Sequence, residues 1–415
     1  MNKILFFFLL SASVSANVLD NPLTLGKALE IARIEGLAEI KTKLDIELLN
    51  IELNNKKNVF NAKYSLEART GQRESYLLRE DDNQGFLHIN KLFYDEEANV
   101  EINSKKILLT SQKTYLKKIF IERKINVMRT FFDTLSADLE YYYRDEALAM
   151  AAVRSNRAED YIPYGTSSDV EVLKNSSKML EEFNLRLQVE SKQRLHRAKL
   201  AELLNSRDNL PDKLIRPDLS TYWDREVISF EKIKENVLTN NLDLNIMYAS
   251  LKSLKEELQN KKKDYQVKID GDIRLGEQSY SREKEGQWRF GVNLSVPLYD
   301  GGDKEYEIKK LELEIKSKEI EIEEFKAQLN IDVLTLWLSL NELKNNKIAL
   351  QKKLEYKDLY LEKARANYEM NIKSDLGDAM TELTKSEWLY AKNEFDFVIT
   401  WEKLNLLAGG KLYEI

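Results

Sequence analysis

Cysteine is absent from all 415 residues. That excludes disulfides, thiolate zinc sites and cysteine nucleophiles, and with them a lipidated N-terminal cysteine. Histidine is almost absent: His88 and His196 are the only two, too few for a His-rich metal site. Proline (5) and glycine (14) are scarce, so tight turns are few and the elements between them long. No excess of one charge stands out either. The net charge is -6 and no Lys/Arg block dominates, which leaves nucleic-acid binding without an electrostatic footprint. Past the N-terminus no run is apolar enough for a transmembrane helix. No nucleophile–base set, phosphate loop or metal-ligand spacing occurs, so the sequence points to no enzyme, metal site or cofactor.

What is present is a mixture of 32% charged and 43% hydrophobic residues. That mixture suits long helices with a narrow apolar seam and wide charged faces. The first residues read as an export signal: Lys3 supplies a positive start, Ile4 to Leu10 an apolar stretch, and Val14-Ser15-Ala16 a small-residue cleavage site. Residues 1–16 are accordingly expected to be a signal peptide.

The chain repeats itself. Under a shift of 205 positions Leu25 meets Phe230, Leu53 meets Leu258, Gly71 meets Gly276, and Phe93-Tyr94-Asp95 meets Leu298-Tyr299-Asp300. Two amphipathic helices always align in part, but chance would not also align Gly, Tyr and Asp in the non-helical stretches. The expected organisation is repeat 1 over 17–208, a Pro-bearing linker over 209–229, and repeat 2 over 230–415. Each repeat should run helix, strand pair, very long helix, helix. The helices are expected at 24–60, 97–160 and 168–206, then at 230–263, 303–370 and 375–408. The strand pairs are expected at 62–72 with 86–95, and at 265–277 with 287–299. Thr24, Ser168 and Ser374 are placed to cap helices.

The two long helices would each span roughly 100 Å at about 1.5 Å per residue. In the second, Leu311, Ile315, Ile322, Phe325, Leu329, Val333, Leu336 and Leu340 recur with coiled-coil spacing. The strands alternate strictly. Val267, Ile269, Ile273 and Leu275 oppose Lys268, Asp270, Asp272 and Arg274. Trp288, Phe290, Val292, Leu294 and Val296 oppose Arg289, Gly291, Asn293 and Ser295. Tyr64, Leu66 and Ala68 oppose Ser65, Glu67 and Arg69 in the same way. Strands of this length, apolar on one face only, follow the pattern of transmembrane β-barrels. Val267, Ile269, Ile273, Leu275, Phe290, Val292, Leu294 and Val296 are therefore expected to face lipid. Tyr76, Phe86, Tyr280 and Trp288 would form an aromatic girdle on the loop side, and Phe60, Tyr94, Tyr265 and Tyr299 one on the helix side. Residues 73–84 and 279–286 would be polar hairpin loops. Four strands cannot close a barrel, and an open edge in lipid is prohibitive, so membrane insertion demands oligomerisation.

These residues resemble the TolC-like outer-membrane efflux family over nearly the whole chain. The resemblance rests on the stretch from Phe290 through Pro297-Leu298-Tyr299-Asp300-Gly301-Gly302, on Tyr368 to Gly409, and on Leu25 to Leu37. It implies an α+β fold: a helical, coiled-coil tunnel carrying four transmembrane strands per protomer, closed as a 12-stranded barrel in a homotrimer. It implies an outer-membrane exit duct reaching into the periplasm, in contact with outer-membrane lipid, with a periplasmic adaptor and an inner-membrane transporter as partners. Cargo would be small molecules, ions or secreted proteins. At the periplasmic aperture the family's tip network maps onto Tyr368, Lys373 and Glu171. Asp375 and Asp378 lie near its acidic constriction, although Gly377 stands where an Asp is usual. The competing reading is a soluble periplasmic coiled-coil adaptor or structural protein. It accounts for the helices and the export signal but leaves the alternating strands without a role.

Overall fold

A computed structural model describes residues 21–34, 36–75, 78–81, 83–206, 209–263, 266–280, 283–370, 372 and 375–414. The expected signal peptide lies outside these residues, as do Tyr76, Tyr265, Lys373, Ser374 and the side chain of Tyr280. In chain order the elements are β1 (Leu23–Thr24), α1 (Leu25–Ile31), α2 (Leu37–Lys57), β2 (Lys63–Arg69), β3 (Gln72–Ser75), β4 (Leu78–Asp81), β5 (Asn83–Asp95), α3 (Glu96–Asp160) and α4 (Asp169–Leu203). They continue with β6 (Leu214–Ile215), α5 (Ser220–Trp223), α6 (Phe230–Asn240), α7 (Leu242–Lys261), β7 (Lys268–Tyr280), β8 (Glu283–Ser295), α8 (Asp303–Glu369) and α9 (Leu376–Leu407). Among the described residues no helix is long and apolar enough to cross a membrane.

The long helices form where the seam predicts them. In α8, Leu311, Ile315, Ile322, Leu329, Val333 and Leu340 are buried, while the Glu and Lys between them meet solvent. Both long helices start on an aspartate that receives backbone N–H groups. Asp95 accepts from Ala98 at 3.2 Å, and Asp300 accepts from Gly302 at 3.2 Å and Lys304 at 2.8 Å. A carboxylate there satisfies orphan donors and complements the positive end of the helix dipole. Gly301 and Gly302 have φ of +77° and +100°, a conformation that L side chains avoid, so the chain reverses into α8 only because both are glycine.

Two compact units divide the chain, and each takes segments from both sequence halves. The first comprises residues 1–39, 118–241 and 330–415. Its core gathers Leu25, Ala28, Val127, Phe131, Phe132, Leu200, Leu204, Phe395 and Val398, with Phe132 stacked on Phe395 at 4.7 Å. Residues 209–229 do more than connect: β6 pairs in parallel with β1, and Trp223 stacks on Phe397 at 3.8 Å. Glu402, 1% exposed, accepts from Tyr222 at 2.7 Å and Tyr413 at 3.0 Å and pairs with Lys124 at 3.3 Å. Burial first, then the Glu402 charge, drives both phenol pKa values well above their ordinary range.

The expected first helix of each half is in fact two. Between α1 and α2, Gly36 lies against Arg123, whose guanidinium occupies the place of a Cβ. Arg123 donates to Glu39 at 3.0 Å and to the Leu203 carbonyl at 3.0 Å. Between α6 and α7, Asn241 leaves helical geometry and its amide donates to the Leu407 carbonyl at 3.0 Å.

The second unit, residues 40–117 and 242–329, holds a four-stranded antiparallel sheet in the order β2-β5-β7-β8. Its helices are joined by ion pairs such as Lys255 with Glu319 at 2.7 Å and Lys262 with Glu312 at 2.6 Å. The expected polar loops are shorter than the sequence suggests. β7 and β8 pair as far as Tyr280 and Glu283, and in the first half β3 and β4 form a separate ladder beyond the main sheet. Ladder hydrogen bonding continues there although the alternation of apolar side chains has ceased.

Candidate functional site

Register defines the faces of the sheet. Tyr64, Ile89, Ile273 and Phe290 are successive partners in one cross-strand row, and Leu66, Leu87, Leu275 and Trp288 in the next. Gly271 with Val292, then Ile269 with Leu294, continue the same face toward the helices. Cross-strand partners share a face, so these residues make one apolar surface. It is open: Leu66 is 80% exposed, Trp288 78% and Leu294 67%. From the Leu294 row to the Trp288 row it is about 20 Å deep at ~3.4 Å per residue. The apolar band of membrane barrels is about 25 Å tall. Uncovered apolar surface of this extent is a contact surface in a folded protein. Lys91 interrupts this face in the Gly271–Val292 row, and Glu277 follows the Trp288 row, where the band gives way to polar groups.

Two expected lipid-facing residues fall outside the ladder. Val267 precedes β7 and Val296 follows β8, and both are half-buried. The β8 ladder stops at Ser295, short of Pro297, which cannot donate to it. Phe60 belongs to a short turn of helix and packs on the Leu53, Ile102 and Leu109 cluster, so it does not contribute to a girdle. Phe86 is likewise no girdle residue. It lies on the polar face, 3% exposed, beneath the Arg274 guanidinium at 3.7 Å from the ring centroid. A Cβ on its partner Gly276 would fall 2.5 Å from the Phe86 ring, so the ring occupies the space that glycine leaves.

The polar face carries the charge. Ser65, His88, Arg274 and Arg289 form one row, and Lys63, Asn90, Asp272 and Gly291 the next toward the helices. Asn293 donates to Asp270 at 3.0 Å, and Glu67 lies 3.3 Å from His88.

The helix ends of the first unit hold the other candidate residues. Ser168 caps α4, its hydroxyl accepting from the Glu171 N–H at 3.3 Å, so Glu171 occupies the third position of a capping box, exposed and in the first turn. Gly165, with φ +69°, closes the loop after α3. Tyr368 is exposed at the end of α8. Asp375 occupies the N-cap position of α9 without a side-chain cap hydrogen bond, and its carboxylate is exposed. Asp378, in the first turn, pairs with Arg154 of α3 at 2.5 Å. Gly377 abuts Met150: a Cβ there would lie 2.0 Å from the Met150 methyl.

No family model matches the sequence, and no curated protein does. Solved structures do. A membrane protein from Pseudomonas aeruginosa superimposes with a TM-score of 0.76 at 13% identity, over 92% of this chain and 93% of the other. The Campylobacter jejuni CmeC outer membrane channel gives 0.76 at 11% identity over 93% and 85%. The open state of the Neisseria gonorrhoeae MtrE outer membrane channel gives 0.74 at 13% identity over 94% and 89%. This is the fold of the TolC-like outer-membrane channels.

Within that TolC-like fold the structure separates the expected aperture residues. Asp378 is engaged by Arg154, the Glu171 backbone N–H is taken by the Ser168 cap, and the exposed Asp375 makes no side-chain cap hydrogen bond. Met150 and Arg154 were not anticipated. They lie more than two hundred residues from their partners, and nothing in local sequence announces such a contact. The Arg274–Phe86–Gly276 stack was partly legible, since Phe86 has the parity of His88 and Asn90 and Gly276 interrupts β7.

Proposed function

We propose that the chain is one protomer of an outer-membrane exit duct. The observation that carries this reading is the exposed apolar face of a sheet with two free edges, β2 and β8. Lipid covers such a face at no desolvation cost, whereas open edges in lipid forfeit backbone hydrogen bonds. Joining β8 of one copy to β2 of the next continues the antiparallel alternation and removes every edge. Three copies make a barrel of twelve strands, large enough to enclose a lumen. The polar face then lines that lumen. The helices extend into the periplasm as the duct's tunnel, where a periplasmic adaptor and an inner-membrane transporter engage it and supply the energy. The protein is a conduit, with no catalytic step and no cofactor.

The two halves, 17–208 and 230–415 joined by 209–229, read as a duplication. Both begin with a broken helix, and both enter their long helix through an aspartate cap at equivalent positions, Asp95 and Asp300. Tyr368, Lys373, Glu171, Asp375 and Asp378 belong to the periplasmic mouth, with Asp375 the member best placed to set its charge. Native mass spectrometry of the protein extracted from outer membranes in detergent tests the duct. A trimer is expected. A water-soluble monomer would overturn the duct and favour a periplasmic coiled-coil protein.

A further inference from the structure

Charges on the polar face of the sheet are ordered along the strands. On β7, Lys268, Asp270 and Asp272 stand on this face nearest the helices, a mixture of signs, and Arg274 and Arg289 stand further toward the hairpin ends. The two arginines are direct cross-strand partners, with His88 beside Arg274 and Ser65 beyond it. Like charges placed directly opposite weaken a ladder. A face that only needed to be wet would be served as well by Gln or Thr, without the stability cost of an arginine pair.

Nor does the fold neutralise them. Among the described residues no ion pair engages either guanidinium, and the Arg274 Nε is buried without a hydrogen-bond partner. Arg274 rests instead on Phe86, which is itself seated over Gly276. A guanidinium stacked on a fixed ring keeps its N–H edge for another acceptor, and its planar fork matches carboxylate or phosphate oxygens. The neighbouring rows carry charge of both signs. Lys63 and Asp272 share the next row, Asn293 holds Asp270, and Glu67 sits beside His88.

We propose that the Ser65–His88–Arg274–Arg289 row is an anion-attracting collar that receives the carboxylate or phosphate groups of solutes passing through the lumen. The collar rests on the duct reading, because only barrel closure turns the row into a ring. Each protomer then adds the two guanidinium groups of Arg274 and Arg289 at one level, with Ser65 and His88 as polar neighbours. Rings of fixed cations favour anions in pores, and a low-dielectric wall focuses their field across the lumen.

The absence of cysteine makes a local test possible. A Ser65→Cys substitution places one thiol in the row. In the reconstituted trimer, an anionic and a cationic methanethiosulfonate reagent are reacted with it, each rate normalised to a free thiol. The anionic reagent should react faster by about tenfold at low salt. That ratio should fall toward one at high salt, where the Debye length shrinks to about 3 Å. It should also fall in the Arg274→Gln/Arg289→Gln background. Arg289→Gln alone, at an exposed position, should give part of the fall and covers the case in which the double variant does not assemble. A trimer with a ratio near one, or one unmoved by salt and by Arg289→Gln, overturns the collar and leaves the duct standing. Failure of the unsubstituted chain to insert as a trimer overturns the duct and the collar with it.

Discussion

At the residue scale, a side chain's contribution depends on which face it occupies and how deep. Phe290 and Ile273 share a row inside the apolar band, whereas Leu294 stands in its last row before the helices. A charge on a lipid face costs about 2–4 kcal/mol at the bilayer midplane and about 0–1 near the interface. Phe290→Arg should therefore lower the yield of membrane-inserted trimer far more than Leu294→Arg. Equal yields for the two would show that the face does not meet a bilayer. On the opposite side, Gly276 carries a different constraint. A Cβ added there would lie 1.9 Å from the Gly85 carbonyl oxygen, which belongs to the backbone and cannot turn aside. Gly276→Ala should destabilise by about 1–3 kcal/mol through overpacking and should unseat Phe86. Thermal denaturation in detergent reads the cost, and an unchanged midpoint would show that the strands separate there at no expense.

At the element scale, α9 meets α3 through Met150 against Gly377 and Arg154 against Asp378. Gly377→Asp should cost about 1–3 kcal/mol, because the Met150 side chain must be displaced. In a Met150→Ala background the same change should cost at least about 1 kcal/mol less, a coupling that a double-mutant cycle measures directly. Additive effects would mean that Met150 swings aside freely. On α4, burial holds the His196 pKa below its ordinary value, outweighing the nearby Asp133. The folded state thus resists a proton that the unfolded chain accepts, so stability falls as pH drops below about 6.5. His196→Gln should flatten the dependence of the melting midpoint on pH between about 7 and 5, and identical slopes would sink the assignment. The long helices and their caps were legible because seam and cap are local patterns: Leu311 to Leu340 repeats by heptads, and Asp300 precedes its glycines. The breaks at Gly36 and Asn241 were not. Each is imposed by a distant group, the Arg123 guanidinium or the Leu407 carbonyl, where the local pattern would run on as one helix. Phe86 misled for a related reason, since an aromatic near a strand end suits a membrane interface until its partner is known to be a glycine.

At the scale of the whole molecule, the proposed duct puts the subunit joint at the open edges of the sheet. In an antiparallel edge strand, alternate residues direct both backbone polar groups toward the neighbour and the rest direct theirs outward. Along β8, consecutive positions such as Val292 and Asn293 therefore differ: one N–H serves β7 within the protomer, and the next faces the free edge. Proline removes one N–H and little else of the strand's reach. A single proline walked along β8 should alternate in effect. At inward positions it should break the β7–β8 hairpin and abolish the folded protein. At outward positions the protomer should fold, with its helical circular dichroism intact, yet fail to trimerise. Substitutions at the sheet's centre cannot show this pattern, because β5 and β7 are paired on both sides. Two-residue periodicity in trimer yield, alongside retained helix content at the outward positions, would locate the subunit joint on β8. If outward prolines still gave a full yield of trimer, closure through β8 and β2 would be wrong, and the helices would have to hold the assembly together.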